Sequence, residues 1–124
     1  MALKMYILIL ESIDLGHAIL AAAHGSLGGY LTFISPVFGP ETTVDQIDKF
    51  NDIKNESKFW VEKSFRKVVC KVTPSEFEKA KEYGTNMMDY RIMTESGLGG
   101  METAIVFAPK DDWPPFFKSL KLYK

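Results

Sequence analysis

A second cysteine is missing. Cys70 stands alone among 124 residues, so no intramolecular disulfide is available, and the lack of a cysteine framework suits a reducing compartment. A small buried strand residue is the expected role for Cys70. Neither sign of charge is in excess: 15 Lys and Arg against 16 Asp and Glu leave a net charge of −1. That excludes the broadly basic surface of a general nucleic-acid binder and leaves only a local patch for any RNA contact. Long apolar runs are missing too. Met5 to Leu10 gives six apolar residues between Lys4 and Glu11, too few for a signal-peptide core or a membrane span. The run from Ala18 to Leu31 is also too short and contains His24. A cytoplasmic protein with no membrane segment is the expectation. No repeat, low-complexity tract or linker is visible, so residues 1–124 are expected to form one domain around one core.

What is present is a set of periodic segments. Lys4 to Leu10 is continuously apolar, the pattern of a strand covered on both faces. Asp14 is a plausible N-cap for a helix that closes near Gly28 and Gly29 or a turn beyond. Pro36, Gly39 and Pro40 break the chain. Thr43 and Gln46 have capping-box spacing, and Val44, Ile47, Phe50 and Ile53 share a face, predicting an amphipathic helix to about Lys54. Asn55 to Lys63 reads as a short helix or loop anchored by its aromatics, with Trp60 a packing anchor rather than a stacking platform. Arg66 to Val72 alternates, with Lys67, Val69 and Lys71 opposite Arg66, Val68, Cys70 and Val72, as an edge strand does. Thr73, Pro74 and Glu76 start a helix expected to end at Gly84. Asn86 to Met93 alternates again, setting Met88, Tyr90 and Ile92 against Asp89 and Arg91, and is expected to be a second edge strand. Thr103 to Ala108 is continuously apolar and therefore central. A last helix is expected from Asp111 or Asp112, with Pro114 and Pro115 in its first turn and Phe116, Phe117 and Leu120 buried.

Crossovers through helices make the first three strands parallel, and the short Thr94 to Met101 loop joins an antiparallel pair. The expected fold is α/β: a mixed four-stranded sheet in the order 2-1-4-3 with helices on both faces. Ligands of such sheets collect outside the carboxyl ends of the parallel strands. That edge receives Glu11 to His17 after the first strand and Thr94, Glu95 and Ser96 after the third.

The helix from Asp14 to Tyr30 is rich in Ala and Gly, so another backbone or a ligand approaches it closely. His17 and His24 fall seven residues apart on one face of it, with Ala21 between them. At about 10 Å apart along the axis they cannot share one metal ion, and no third ligand cluster accompanies them. A histidine at the helix start and a carboxylate across from it, Glu95, point to one acid–base cleft. The plainer alternatives are a hydrogen-bonded core role for His24, a helix-terminal residue without function for His17, and a surface acid for Glu95.

The segments Lys-Met-Tyr-Ile-Leu-Ile, Ala-Ala-Ala-His-Gly-Ser-Leu-Gly-Gly-Tyr-Leu, Arg-Lys-Val-Val-Cys-Lys-Val, Thr-Ala-Ile-Val-Phe-Ala-Pro and Ser-Leu-Lys-Leu-Tyr, in that order, resemble the archaeal and eukaryotic type of peptidyl-tRNA hydrolase over nearly the whole chain. The resemblance implies a mixed four-stranded α/β domain, often dimeric, that cleaves the ester between a peptide and the terminal ribose of tRNA, with no metal or other cofactor. His24 takes the place of the histidine in the family's helix motif. Ala21 stands where the family has glutamine, His17 where it has lysine, and Leu10 where it has arginine. Glu95, Ser96 and Gly97 match the family's aspartate-alanine-glycine segment, and the loop after it is shortened to Leu98, Gly99, Gly100 and Met101.

Two functions follow as expectations. In the first, the chain is an esterase acting on peptidyl-tRNA or an N-blocked aminoacyl-tRNA. His24 or His17 is the general base, Glu95 orients it, and the helix N-terminus and Ser96 region hold the oxyanion. Lys58, Lys63, Arg66 and Lys67 are the candidates for the phosphate backbone, their alternative being a solvated basic surface. In the second, Ala21, Leu10 and the short loop mark a chain that keeps the fold without hydrolysis and binds RNA, a nucleotide or a partner protein. tRNA and a second copy of the chain are the expected partners.

Overall fold

The computed structural model describes residues 3–34, 42–87 and 89–124. Along the chain run β1 (Lys4–Leu10), α1 (Leu15–Ile34), α2 (Val44–Glu62), β2 (Arg66–Val72), α3 (Pro74–Met87), β3 (Tyr90–Glu95), a 3-10 turn over Ser96–Leu98, β4 (Met101–Lys110) and α4 (Pro115–Lys118). The strand order is β2-β1-β4-β3. β1 is parallel to β2 and antiparallel to β4, and β4 is antiparallel to β3. β1, β2 and β3 therefore share one direction, and their carboxyl ends form one rim.

Alternation along the strands sorts two cores. Met5, Ile7, Ile9, Ala104, Val106 and Ala108 face α1 and α2 with Trp60. Tyr6, Leu8, Cys70, Val72, Ile105 and Phe107 face α3 and α4 with Phe77 and Phe117. Cys70 is buried as expected, and burial pushes its thiol up to about 11. Trp60 is a packing anchor: it is buried and its indole N–H donates to the Arg66 carbonyl at 2.7 Å. Among the described residues no helix is long and apolar enough to cross a membrane.

α1 lies close on the sheet because its small residues allow it. A Cβ on Gly29 would stand 3.0 Å from Met5 Cε and 3.2 Å from Val106 Cγ2. Gly28 and Gly29 thus serve close approach, and the helix continues to Ile34, the later of the two expected ends. Arg91 fastens it to β3 by donating to Thr32 Oγ1 at 2.9 Å. Both expected capping boxes are present: Gln46 N donates to Thr43 Oγ1 at 3.2 Å, and Glu76 N to Thr73 Oγ1 at 3.1 Å, each with the reciprocal bond.

Several expected boundaries are corrected. α2 does not stop near Lys54 but runs unbroken to Glu62. Ser57 and Trp60 are buried and extend the inward stripe beyond Ile53, and no Gly or Pro intervenes. α3 passes through Gly84 to Met87, so Asn86 and Met87 are helical and β3 begins only at Tyr90. Met88 and the break at Pro36, Gly39 and Pro40 lie outside the described residues. β4 takes in Met101 and Glu102 as well as Thr103. The last helix starts at Pro115 rather than at Asp111 or Asp112, because the residue before a proline is held extended, and Pro114 has φ −55° and ψ 151°. Phe117 and Leu120 are buried and Phe116 only partly so.

Gly84 ends nothing: it makes room for a ring. A Cβ there would come 2.3 Å from Tyr90 Cγ. In an open helix Gly→Ala stabilises through backbone entropy, whereas here Gly84→Ala is expected to cost about 1–3 kcal/mol by overpacking, read as a lower urea midpoint.

The outer edge of β2 is partly covered by the C-terminal tail, with Lys71 N donating to Lys121 O and Tyr123 N to Val69 O, each at 2.9 Å. At the far end of β4, the Lys110 ammonium is in contact with the buried Asp89 carboxylate.

Candidate functional site

The carboxyl rim is where β1 hands the chain to α1. Asp14 caps the helix: the backbone N–H of His17 donates to Asp14 Oδ2 at 3.3 Å. The carboxylate also holds the imidazole, with His17 Nδ1 2.6 Å from Asp14 Oδ1. The hydrogen bonds from His17 keep the Asp14 carboxyl below the usual carboxylate range. An ionised carboxylate only accepts, so the proton between them belongs to Nδ1, and a neutral ring leaves Nε2 with its lone pair free. The couple is open to solvent, His17 being 35% and Asp14 65% exposed at the side chain.

β3 brings the other half. Glu95 ends the strand, and its Oε1 accepts from the Gly97 N–H at 2.9 Å, curling the carboxylate over the 3-10 turn. The point at which a Cβ on Gly97 would stand lies 3.3 Å from Glu95 Oε1 and 3.8 Å from His17 Nε2. His17 and Glu95 therefore flank one gap, kept open by a glycine. Ser96 is exposed beside it. The loop N–H groups of Gly97, Gly99 and Gly100 are bonded to Glu95 Oε1, Ser96 O and Glu95 O respectively, and the Ser96 hydroxyl takes no part in these bonds.

On the same rim, across the sheet, a cavity of ≈ 370 Å³ is lined by Leu10, Ser12, Pro74, Phe77, Met101 and Glu102, among others. Its walls are largely apolar.

The other candidates fall elsewhere. His24 is exposed two turns along α1, about 10 Å from His17 by the helix rise. The next residue, Gly25, packs on Ile7 and Val106 at mid-strand, so His24 is set back from the Gly97 gap. The structure does not bring Lys58, Lys63, Arg66 and Lys67 to this rim at all. Arg66 pairs in register with Lys4, at the amino ends of β2 and β1, which places it about 20 Å from the carboxyl rim. Lys58 and Lys63 are exposed around the last turns of α2, beside it. Among the described residues no group of three His, Cys, Asp or Glu is arranged to hold a metal ion.

Asp14 is the residue that sequence reading underused. Its spacing to His17 puts the two on one helix face, a signal visible in the sequence and masked by the cap role.

If the Gly97 gap is the working site, Gly97→Ala fills it without disturbing the backbone, since Gly97 has no positive φ. The expected result is an unchanged melting temperature with activity or ligand affinity reduced by about tenfold or more, as a misplacement on the scale of one ångström at a reacting centre does.

Fold and rim together define a class, that of a small α/β protein with a mixed sheet and an Asp–His couple facing a carboxylate at the carboxyl ends of its parallel strands. Compared with known proteins, the chain matches no family model and no curated sequence.

Proposed function

We propose that the chain is a hydrolase of the ester that joins a peptide, or an N-blocked amino acid, to the terminal ribose of tRNA. The observation that carries the reading is the placement of His17 Nε2 and Glu95 Oε1 on either side of Gly97, with Asp14 behind the imidazole. The segment resemblance to the peptidyl-tRNA hydrolases supports the choice of ester.

In this reading, His17 Nε2 takes a proton from a water as its oxygen attacks the ester carbonyl, while Asp14 stays ionised and steadies the imidazolium. Glu95 positions the water. The Ser96 hydroxyl and the N-terminal end of α1 face the negative charge that develops on the carbonyl oxygen. The tetrahedral intermediate collapses by breaking the bond to the ribose oxygen, which receives the proton back from His17. The apolar cavity beside Leu10 and Phe77 accommodates the amino-acid side chain. The same reading has a homodimer working in the cytoplasm, and the groove beside Leu15, Ile19, Val69 and Tyr123, ≈ 200 Å³, is the apolar surface available to it.

Hydrolysis in water enriched in the heavy oxygen isotope tests the chemistry. One heavy oxygen is expected in the carboxyl group of the released N-acetylated amino acid and none in the tRNA ribose. Label in the ribose, or no release, contradicts it.

One observation favours a second reading. Ala21, at the place of the family's glutamine, is 4% exposed and brings no polar group to the rim. Leu10, at the place of its arginine, lines the apolar cavity. A chain that binds an RNA end, a nucleotide or a partner without cleaving it fits those two positions. Tight tRNA binding with no release of the acid distinguishes this reading from the first.

A further inference from the structure

Nothing in the acid–base grouping tells one aminoacyl ester from another, whereas the apolar cavity on the same rim does. Two connections tie that cavity to the gap at Gly97. Leu10 and Ser12 line it from the turn that leads into Asp14 and His17. Met101 lines it from β4 and is the register partner of Glu95, which flanks the gap with His17. Paired residues on antiparallel strands hold their Cβ atoms about 5 Å apart. The α-carbon of an aminoacyl ester is bonded to the reacting carbonyl carbon. With that carbonyl in the gap, the amino-acid side chain therefore starts within reach of Met101.

The lining sets what the cavity accepts. Phe77 is 2% exposed and held in the core beneath α3, so it gives a fixed apolar wall, with Leu10 and Pro74 beside it. Met101 is 43% exposed, and its unbranched thioether adapts to the shape it meets. Size and apolarity are therefore selected more than shape. The polar margin consists of two exposed acids, Glu78 and Glu102. Lys81 Nζ donates to Glu102 Oε1 at 2.5 Å and to Glu78 Oε1 at 3.2 Å. That ammonium is committed, and the lining has no other cation among the described residues, so an acidic side chain finds no partner here. At ≈ 370 Å³ the cavity is near the small end of ligand pockets, which span about 300–1,000 Å³, and it has room for one side chain rather than a length of peptide.

We infer that this cavity makes the protein selective for esters of large apolar amino acids, phenylalanine, leucine and methionine among them, over glycine and the acidic residues, with Met101 setting the preference. The inference rests on the ester reading for its reaction and on the cavity alone for its selectivity. An apolar side chain that leaves water for these walls gains from its burial, and glycine has nothing to bury. Apolar pockets discriminate by about 10–200-fold for a change as small as one methylene, so a preference of about tenfold or more for phenylalanine over glycine is expected even of a cavity open on one side.

The test compares kcat/KM for N-acetylphenylalanyl, N-acetylglycyl and N-acetylaspartyl esters carried on one and the same tRNA. The phenylalanyl ester is expected to lead the other two by about tenfold or more. Met101→Gln keeps the length of the side chain and removes its apolar character, and it is expected to bring the three within a few-fold of one another. Met101→Leu is expected to keep the preference. A second measurement needs no ester: in protein labelled with carbon-13 at the methionine methyls, the Met101 signal, identified by its absence from Met101→Leu, is expected to move with N-acetylphenylalaninamide and not with N-acetylglycinamide. Equal cleavage of the phenylalanyl and glycyl esters by the wild type, or an undiminished preference in Met101→Gln, overturns the inference and leaves the hydrolase standing. Cleavage of no ester, with the Met101 signal moving as expected, removes the hydrolase and supports the selective cavity. Cleavage of no ester and an unmoved signal overturn both.

Discussion

Replacing His17 by alanine is expected to lower the hydrolysis of an N-acetylated aminoacyl-tRNA by a factor of about 10² or more while the chain stays folded, because the variant has no group left to take the proton from water. The ring contributes little to the core, being one-third exposed at the rim. Asp14→Asn is expected to fall by about tenfold or more, since an amide no longer fixes the proton on Nδ1. His24→Ala is expected to stay within a few-fold of the wild type, because His24 is set back along α1 from the Gly97 gap. This order separates His17 from His24, which the sequence alone leaves as equal candidates. Initial rates at saturating substrate measure it.

The couple also has a defined response to pH. The hydrogen bonds from His17 depress the Asp14 carboxyl below its usual range. A depressed carboxylate contributes its stabilisation above the unfolded-state pKa and loses it as pH falls through the folded-state value. The Asp14–His17 contact is therefore expected to survive mild acid and to come apart only below the ordinary carboxylate range.

Asp89→Ala is expected to produce the largest loss of stability in the chain, about 3–5 kcal/mol, because it strands a buried ammonium. Asp89 is 1% exposed and Lys110 is only 18% exposed at the side chain, so water replaces the lost partner only in part. For a domain of this size the melting temperature is expected to fall by about 10–20 °C. Burial is the chief cause that holds the Lys110 ammonium down to about 8, from 10.5, in the folded chain. Over the interval from about 8 to 10.5 the unfolded chain holds the lysine proton and the folded chain does not. Stability rises with pH wherever the unfolded state binds more protons. The contribution of Lys110 to stability is thus expected to rise with pH through that interval, which calorimetry at several pH values records.

The sheet was legible because its strands differ in kind. β1 and β4 are continuous apolar runs and lie in the middle, and β2 and β3 alternate and lie at the edges. Capping spacing placed the starts of α2 and α3 correctly. Helix ends were less legible, because what continues α2 past Lys54 is a buried serine and what carries α3 through Gly84 is a ring from another strand. Neither is a local property. The rim could be anticipated from topology, which brought Glu95 to His17, but His24 looked equivalent to His17 until the helix was laid on the sheet. The basic residues could be placed in the same way: Arg66 opens β2, and the parallel register with Lys4 puts that end on the amino side of the sheet, away from His17.

The most direct measurement is a single-turnover time course of N-acetylated aminoacyl-tRNA with excess wild-type protein, beside the same course in buffer and with His17→Ala. Release of the N-acetylated amino acid far ahead of buffer by the wild type, and near the buffer rate by the variant, is the expected result. A wild type no faster than buffer, or a His17→Ala variant as fast as the wild type, would show that the imidazole at this rim does not cleave the ester.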